Sequence, residues 1–262
     1  MQLKKLEKEV VNLSQKVGQY IVDERKSFDV SKTEEKSFNN LVSYVDKTAE
    51  QMFIKGLEVI LPEAGFIAEE SEDIYRKPGS NWVIDPLDGT TNFIFNLPVY
   101  CTSVALMKSD EVVLGVIFDP VHNECFYASK GNGAFLNGLP IKISKTTDLI
   151  RSLVATGFPY DDFSKFDEYI RFLGELTRKT KGIRRLGSAA IDLAYVACGR
   201  FDSFYEYGLN AWDVAAGALI VQEAGGKVSD FKDGEDYIFG EEILAGNNKI
   251  HREMLKEIQI FF

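Results

Sequence analysis

One stretch constrains this chain more than any other: Asn81 to Phe93, N-W-V-I-D-P-L-D-G-T-T-N-F. Trp82, Val83 and Ile84 form a short apolar run that reads as the end of a buried strand. Asp85-Pro86 and Asp88-Gly89 follow at once, and both pairs are turn chemistry. A turn from Asp85 to Asp88 would hold their Cα atoms within about 7 Å. Two carboxylates then converge at the mouth of the strand. Gly89, Thr90 and Thr91 add backbone N–H groups without bulk. If Thr91 to Phe95 opens a helical turn, those groups make an anion site beside an acid pair. Acids and an anion are compatible only with a cation between them, and Mg2+ bridging carboxylates and a phosphate is the simplest filling. The acid pair alone suits an ordinary turn equally well. The other acids of the chain decide between the two.

The chain has 262 residues, 45% of them apolar, enough for one large domain or two small ones. Its formal charge of −10 argues against nucleic acid or an anionic membrane as partner. It does not argue against phosphorylated substrates, because a metal ion inverts local charge. No apolar run is long enough for a bilayer, and M-Q-L-K-K-L-E-K-E-V lacks the apolar segment of a signal peptide. Cys101, Cys125 and Cys198 are odd in number and lack C-x-x-C spacing, so buried thiols in a reducing, cytoplasmic compartment are expected. The two histidines, His122 in D-P-V-H-N and His251 in a charged terminal segment, are expected at the surface. A zinc site, a serine triad and a Cys–His pair are therefore poorly supported. The chemistry falls to carboxylates, hydroxyls and backbone.

Leu3, Leu6, Val10, Leu13, Val17 and Ile21 mark one face of a long first helix that ends before Ser27-Phe28. Asp29 to Asn40 is polar and reads as a loop or hairpin. Ala49, Met52, Phe53, Leu57 and Ile60 share a face of a second helix that starts at Asp46 and stops at Leu61-Pro62. Phe66 to Ala68 is a short strand closed by Glu69-Glu70-Ser71, two acids that also suit a helix N-terminus. Tyr100–Met107, Val112–Asp119, Cys125–Ser129 and Ala134–Ile143 form an antiparallel meander, with turns at 109–110, 123–124, 131–133 and 137–138. Ser144 to Leu149 is the passage to a second half. There, helices are expected over 163–178, 189–198, 212–223 and 250–258, with strands at 153–156, 201–206, 228–230 and 242–245. Such mixing argues a layered α/β or α+β fold.

Glu69-Glu70-Ser71, D-P-L-D-G-T-T-N-F at 85–93 and W-D-V-A-A-G at 212–217 occur in the order and spacing of the inositol monophosphatase family, which the chain resembles along nearly its whole length. The resemblance implies a Mg2+-dependent, lithium-sensitive phosphomonoesterase with alternating helix and sheet layers of the sugar-phosphatase type. An antiparallel sheet lies in the N-terminal half, 1–144, and a mixed sheet in the C-terminal half, 145–262. By resemblance, Glu69 and Asp85 ligate a first Mg2+ with the carbonyl of Leu87, and Asp85, Asp88 and Asp213 ligate a second. Glu69 also reaches a third, weaker ion. Gly89 and Thr90 bind phosphate through their N–H groups. Asp46, Thr90 and Glu69 serve the attacking water. Glu206 accepts substrate hydroxyls, Gly187, Ser188 and Ala189 line that side, and Asp213 borders it. A homodimer is the family's usual state.

The residues fit this chemistry independently, since four carboxylates in one site repel unless cations neutralise them. Hard oxygen ligands select Mg2+ or Mn2+ over Zn2+. Asp213 and Asp46 also suit helix caps, and Glu206 a surface acid. Asn39-Asn40 depart from the Asp that many family members carry there, and Asn210-Ala211 fall where substrates differ. A haloacid-dehalogenase-type phosphatase would place its acids as D-x-D-G-T, one residue closer than D-P-L-D-G-T, and a regulatory binding module of the same fold is the non-enzymatic alternative. Inositol monophosphate leads the candidate substrates. Fructose 1,6-bisphosphate, a 3′-phosphonucleotide, histidinol phosphate and a nicotinamide dinucleotide phosphate stand behind it.

Overall fold

Short hairpins keep the larger sheet in sequence order. A computed structural model describes residues 2–37, 40–71, 76–160 and 162–262. Its seven-stranded sheet runs β3 (Gly65–Ala68), β4 (Ser80–Asp88), β5 (Cys101–Lys108), β6 (Glu111–Asp119), β7 (Glu124–Ser129), β8 (Ala134–Leu136) and β9 (Leu139–Pro140). Ser109, Asn123 and Asn137 take positive φ at three of the turns, where short polar side chains tolerate the left-handed region. The single run expected over 134–143 is split by the Asn137-Gly138 turn. β3 pairs with β4 in parallel, while every later pair is antiparallel.

The five-stranded sheet has the order β11 (Gly182–Arg184), β10 (Leu153–Thr156), β12 (Ser203–Tyr207), β14 (Glu242–Gly246), β13 (Lys227–Ser229). β10 lies parallel to β11 and β12, and β14 is antiparallel to β12 and β13. β11 is absent from the expected strands because three residues are too short to leave a periodicity. The polar stretch after Asp29 holds a hairpin of β1 (Thr33–Ser37) and β2 (Asn40–Ser43). Asn39 lies outside the described residues.

Strand alternation sorts the cores. Trp82, Ile84, Val104, Leu106, Leu114 and Val116 face α1 (Gln2–Arg25) and α2 (Tyr44–Ile60). Val83, Ala105 and Ile117 face the other way, onto α5 (Ala189–Ala197) and α6 (Ala211–Glu223). Phe204, Ile243 and Ala245 of the second sheet close over the same two helices. Ala215, Ala216 and Ala218 keep α6 thin enough to sit between two sheets. Val154, Tyr205 and Leu244 point to α4 (Phe166–Lys179) and α7 (Asn248–Ile258). Period-2 strands with both faces covered give helix and sheet layers in alternation.

His251 departs from its expected surface position. It lies on the apolar face of α7 at 1% exposure, its Nε2 2.9 Å from Ser229 Oγ. The charged residues around it occupy the opposite face of an amphipathic helix. Burial lowers its pKa to about 4, so it is neutral at pH 7. Cys101 and Cys125 are buried thiols, and Cys198 is half-buried. Among the described residues no helix is long and apolar enough to cross a membrane.

Candidate active site

The end of β4 is irregular. Asp85 pairs with Ser103 and Asp88 with Cys101, with a register shift between them. Pro86 lacks the N–H a regular ladder needs. The strand therefore bulges where a free-standing turn was expected, and both Asp residues remain on it. Gly89 follows with φ 93° and caps α3 (Thr90–Ile94). A Cβ at Gly89 would lie 2.9 Å from the Val99 carbonyl oxygen, so conformation and space both require glycine.

Each acid of the cluster is held by a donor. Asp85 Oδ1 accepts the Leu87 N–H at 2.9 Å. Asp88 Oδ2 accepts the Ser188 hydroxyl at 2.6 Å and the Ala190 N–H at 2.7 Å, at the start of α5. Asp213 Oδ2 accepts the Asn210 N–H at 2.7 Å, the capping contact at the start of α6. Asp46 Oδ2 accepts the Ser43 N–H at 2.9 Å and the Ser43 hydroxyl at 2.6 Å. Asp46 Oδ1 lies 2.8 Å from Thr90 Oγ1, which is also 3.0 Å from the Leu87 carbonyl oxygen. Asp46 and Asp213 thus cap helices with one oxygen and leave the other for the site. Glu69 follows β3, in a bend fixed from α2: Glu50, 3% exposed, accepts the Glu70 N–H at 2.8 Å and the Ser71 hydroxyl.

The acids feel one another. Burial, then the charges of Glu69, Asp88 and Asp213, hold the Asp85 carboxyl well above the usual range. Burial and the Asp88 charge push Asp213 up to about 7. Burial lifts Asp88 to about 6, against the hydrogen bonds from Ser188 and Ala190 and the charge of Arg185. Burial also raises Asp46, against its bonds from Ser43 and Thr90. Among the described residues, no three His, Cys, Asp or Glu side chains are already gathered around one metal position. Mutual repulsion and the anchoring bonds account for that spread. The donor set is nonetheless all hard oxygen, its charges converge on Asp85, and a divalent cation is the species that relieves them. The residues fit Mg2+.

A cavity of about 90 Å3 opens beside this cluster. Glu69, Asp88, Asp213, Gly187, Ser188 and Ala189 line it, together with Glu206 on β12. Gly157, Tyr160, Arg185 and Asp192 also line the cavity and were not foreseen. Asp192 had a readable signal, a lone acid inside A-A-I-D-L-A-Y-V-A. The others stand in loops without one. Asn92 was missed too. Its Nδ2 donates to the Val99 carbonyl at 2.7 Å and the Leu186 carbonyl at 2.9 Å, tying α3 to the loop that enters α5.

The sequence profile of the inositol monophosphatase family matches residues 2–260. Nus factor SuhB of Escherichia coli strain K12 is 41% identical over 250 residues, covering 95% of this chain and 94% of that protein. The extragenic suppressor protein suhB of Bartonella henselae is 36% identical with TM-score 0.91, covering 96% of this chain and 97% of that one. The inositol monophosphatase of Anabaena sp. PCC 7120 is 34% identical with TM-score 0.88, covering 100% and 98%. A profile match over nearly every residue, with these relatives, identifies the chain as a member of the inositol monophosphatase family.

Proposed function

We propose that this chain is a Mg2+-dependent phosphomonoesterase that hydrolyses inositol monophosphate, or a related small polyol phosphate, by direct attack of water. The observation that carries the reading is the convergence of Glu69, Asp88 and Asp213 charges on Asp85, beside the N–H groups of Gly89 and Thr90. Glu69, Asp85, Asp88 and Asp213, with the Leu87 carbonyl, would hold two or three Mg2+ ions. Bound there, Mg2+ supplies Lewis acidity toward water and phosphate and offsets the charge of the leaving oxygen.

The chain's own groups do the rest. The Thr90 hydroxyl has one proton and two acceptors, Asp46 and the Leu87 carbonyl. When that carbonyl is engaged elsewhere, the proton goes to Asp46 and a Thr90 lone pair faces the site. Thr90 can then accept from a water and orient it, with Asp46 fixing the rotor and Glu69 facing the same water. The Gly89 and Thr90 N–H groups bind phosphate oxygens. Gly187, Ser188, Ala189, Asp213 and Glu206 line one cavity; there the first three would border the ester, Asp213 would serve both metal and ester, and Glu206 would accept a hydroxyl of the alcohol.

We extend the reading to lithium inhibition, a cytoplasmic homodimer, a catalytic cycle needing neither nucleic acid nor membrane, and two halves, 1–144 and 145–262, divided between metal and substrate contacts. Sedimentation at several concentrations tests the dimer. Phosphate release at fixed Mg2+, across inositol 1-phosphate, fructose 1,6-bisphosphate, a 3′-phosphonucleotide, histidinol phosphate and NADP, tests the activity. Highest kcat/KM on inositol 1-phosphate is expected, and no release from any of the five overturns the proposal. Relatives named Nus factor SuhB, a name that states no hydrolysis, favour a second reading as a binding protein of the same fold. The same assay separates the two, because a pure binding role predicts no phosphate release.

A further inference from the structure

Asp192 stands in the first turn of α5 and lines the same cavity as Glu206. It is 1% exposed, and its Oδ1 has no hydrogen-bond partner among the described residues. Glu206 is 6% exposed and sits directly against Gly157: a Cβ at that glycine would lie 2.1 Å from each Glu206 carboxylate oxygen. Burial raises the pKa of both acids, and each also feels further carboxylates, Asp192 that of Glu206 and Glu206 that of Asp213. The fold therefore places two poorly solvated carboxylates on one small cavity. Buried acceptors left without donors are costly and uncommon. A ligand that brings a donor to Asp192 beside Glu206 removes that cost.

The cavity's charge indicates which donors. The Arg185 guanidinium, on the same cavity, lowers the pKa of both Asp192 and Glu206. It already offsets part of their negative charge, so donors without a charge of their own can pair with them. Hydroxyl groups are such donors. Gly157, itself on the cavity, has no side chain to occupy the place of the Glu206 oxygens.

We propose that Asp192 is a second hydroxyl-binding residue beside Glu206, so that the site prefers phosphate esters whose alcohol carries at least two further free hydroxyls. This rests on the phosphatase reading and narrows its substrate class to polyols.

The test compares wild type with Asp192→Asn, an isosteric change that replaces the carboxyl group by an amide, and with Asp192→Ser, which withdraws the side chain from the cavity. kcat/KM is measured for inositol 1-phosphate, O-phosphoethanolamine and p-nitrophenyl phosphate. Binding of inositol 1-phosphate is measured by calorimetry with Ca2+ in place of Mg2+. Both variants should lose about tenfold or more on inositol 1-phosphate, through KM, and stay within about twofold on p-nitrophenyl phosphate. Binding should weaken to match. Equal losses on all three esters mean a structural role and overturn the proposal, as does no loss on any. A loss confined to O-phosphoethanolamine assigns Asp192 to an amine and overturns it too. If wild type cleaves no ester, the phosphatase reading fails by itself and the calorimetry alone decides: weaker binding by the variants upholds Asp192, while unchanged or absent binding overturns it.

Discussion

The two ends of one cleft hold their acids in different ways. At the metal end, Asp46, Asp85, Asp88 and Asp213 each give an oxygen to a backbone N–H or a hydroxyl. At the proposed substrate end, Asp192 Oδ1 has no partner among the described residues, and the Glu206 carboxylate lies against Gly157. The contrast is one of task. An anchored carboxylate has a fixed orientation, which a metal site with defined geometry needs. An acceptor without a protein donor keeps its hydrogen-bonding capacity for whatever enters. Three of the anchors are local, two or three residues from their acid, while Ser188 and Ala190 fix Asp88 across a hundred residues.

The largest expected effect tests the metal end. Asp85→Asn should lower kcat by about 10³-fold or more, since Asp85 is the residue assigned to both principal metals. The same change should raise the Tm of the metal-free protein by a few degrees, because burial and three neighbouring acids disfavour its charge. Activity and stability then move in opposite directions. Near-normal turnover at saturating Mg2+ removes Asp85 from its bridging place.

The substrate end should respond by choice of substrate. Glu206→Gln should cost about 10- to 100-fold on inositol 1-phosphate, the loss of one charge-assisted hydrogen bond, and little on glycerol 2-phosphate. Gly157→Ala reaches the same carboxylate from behind. Its φ is not in the left-handed region, so the new methyl acts by displacing Glu206. It should reproduce the selectivity loss of Glu206→Gln, and the double variant should add little. Full additivity would show that Gly157 acts on something else.

A smaller effect separates the ends again. Li+ at tens of millimolar, roughly the scale of weak hard-cation binding, should at least halve kcat, uncompetitively or noncompetitively with substrate. Asp85, Asp88 and Asp213 would give a second ion only three carboxylates, so much of its ligation would come from phosphate and water, and a monovalent ion could enter after the alcohol leaves. Excess Mg2+ should inhibit by the same route. Glu206→Gln should leave the Li+ response unchanged. A lithium titration at several substrate and Mg2+ concentrations measures both, and insensitivity in wild type removes the exchangeable second site.

Much of the backbone around the acid cluster was legible because its signals are local. D-P-L-D-G-T-T-N-F carries strand end, glycine cap and helix start within a few residues, and its expected turn is a bulge in the strand. W-D-V-A-A-G likewise gives a capping acid and a run of small residues that only a helix between two sheets needs. What escaped is what distance creates. Nothing near Gly157 in the sequence announces Glu206, and nothing near Asn92 announces Leu186. His251 misled because its neighbours are charged, although its helical face is apolar. β11 is three residues long, and three residues carry no period. Asp192 was visible as a lone acid in an apolar helix, but its direction depended on which layers covered α5.

The smallest effect is a pH dependence that divides the acids between the two ends. Asp88 and Asp213 rise from 3.8 to about 6 and about 7 in the folded protein. Between those limits the folded state binds more protons than the unfolded state. Their contribution to stability is therefore fully present below pH 3.8 and is lost as pH rises through 6 and 7. Asp192 and Glu206 shift in the same direction and add to the same slope. Metal-free protein should accordingly lose Tm from pH 5 to pH 8. Mg2+ binds the ionised acids of its own end, so it should raise Tm by about 5 °C at pH 8 and about 1 °C at pH 5. It should leave the share of Asp192 and Glu206 untouched, and Asp192→Asn should flatten the slope that remains in saturating Mg2+. Thermal melts across pH, with Mg2+ and with EDTA, read all three. A Mg2+ increment equal at both pH values would mean that the cation does not engage the raised carboxylates. A slope in Mg2+ that Asp192→Asn leaves unchanged would place the residual protons on some other group.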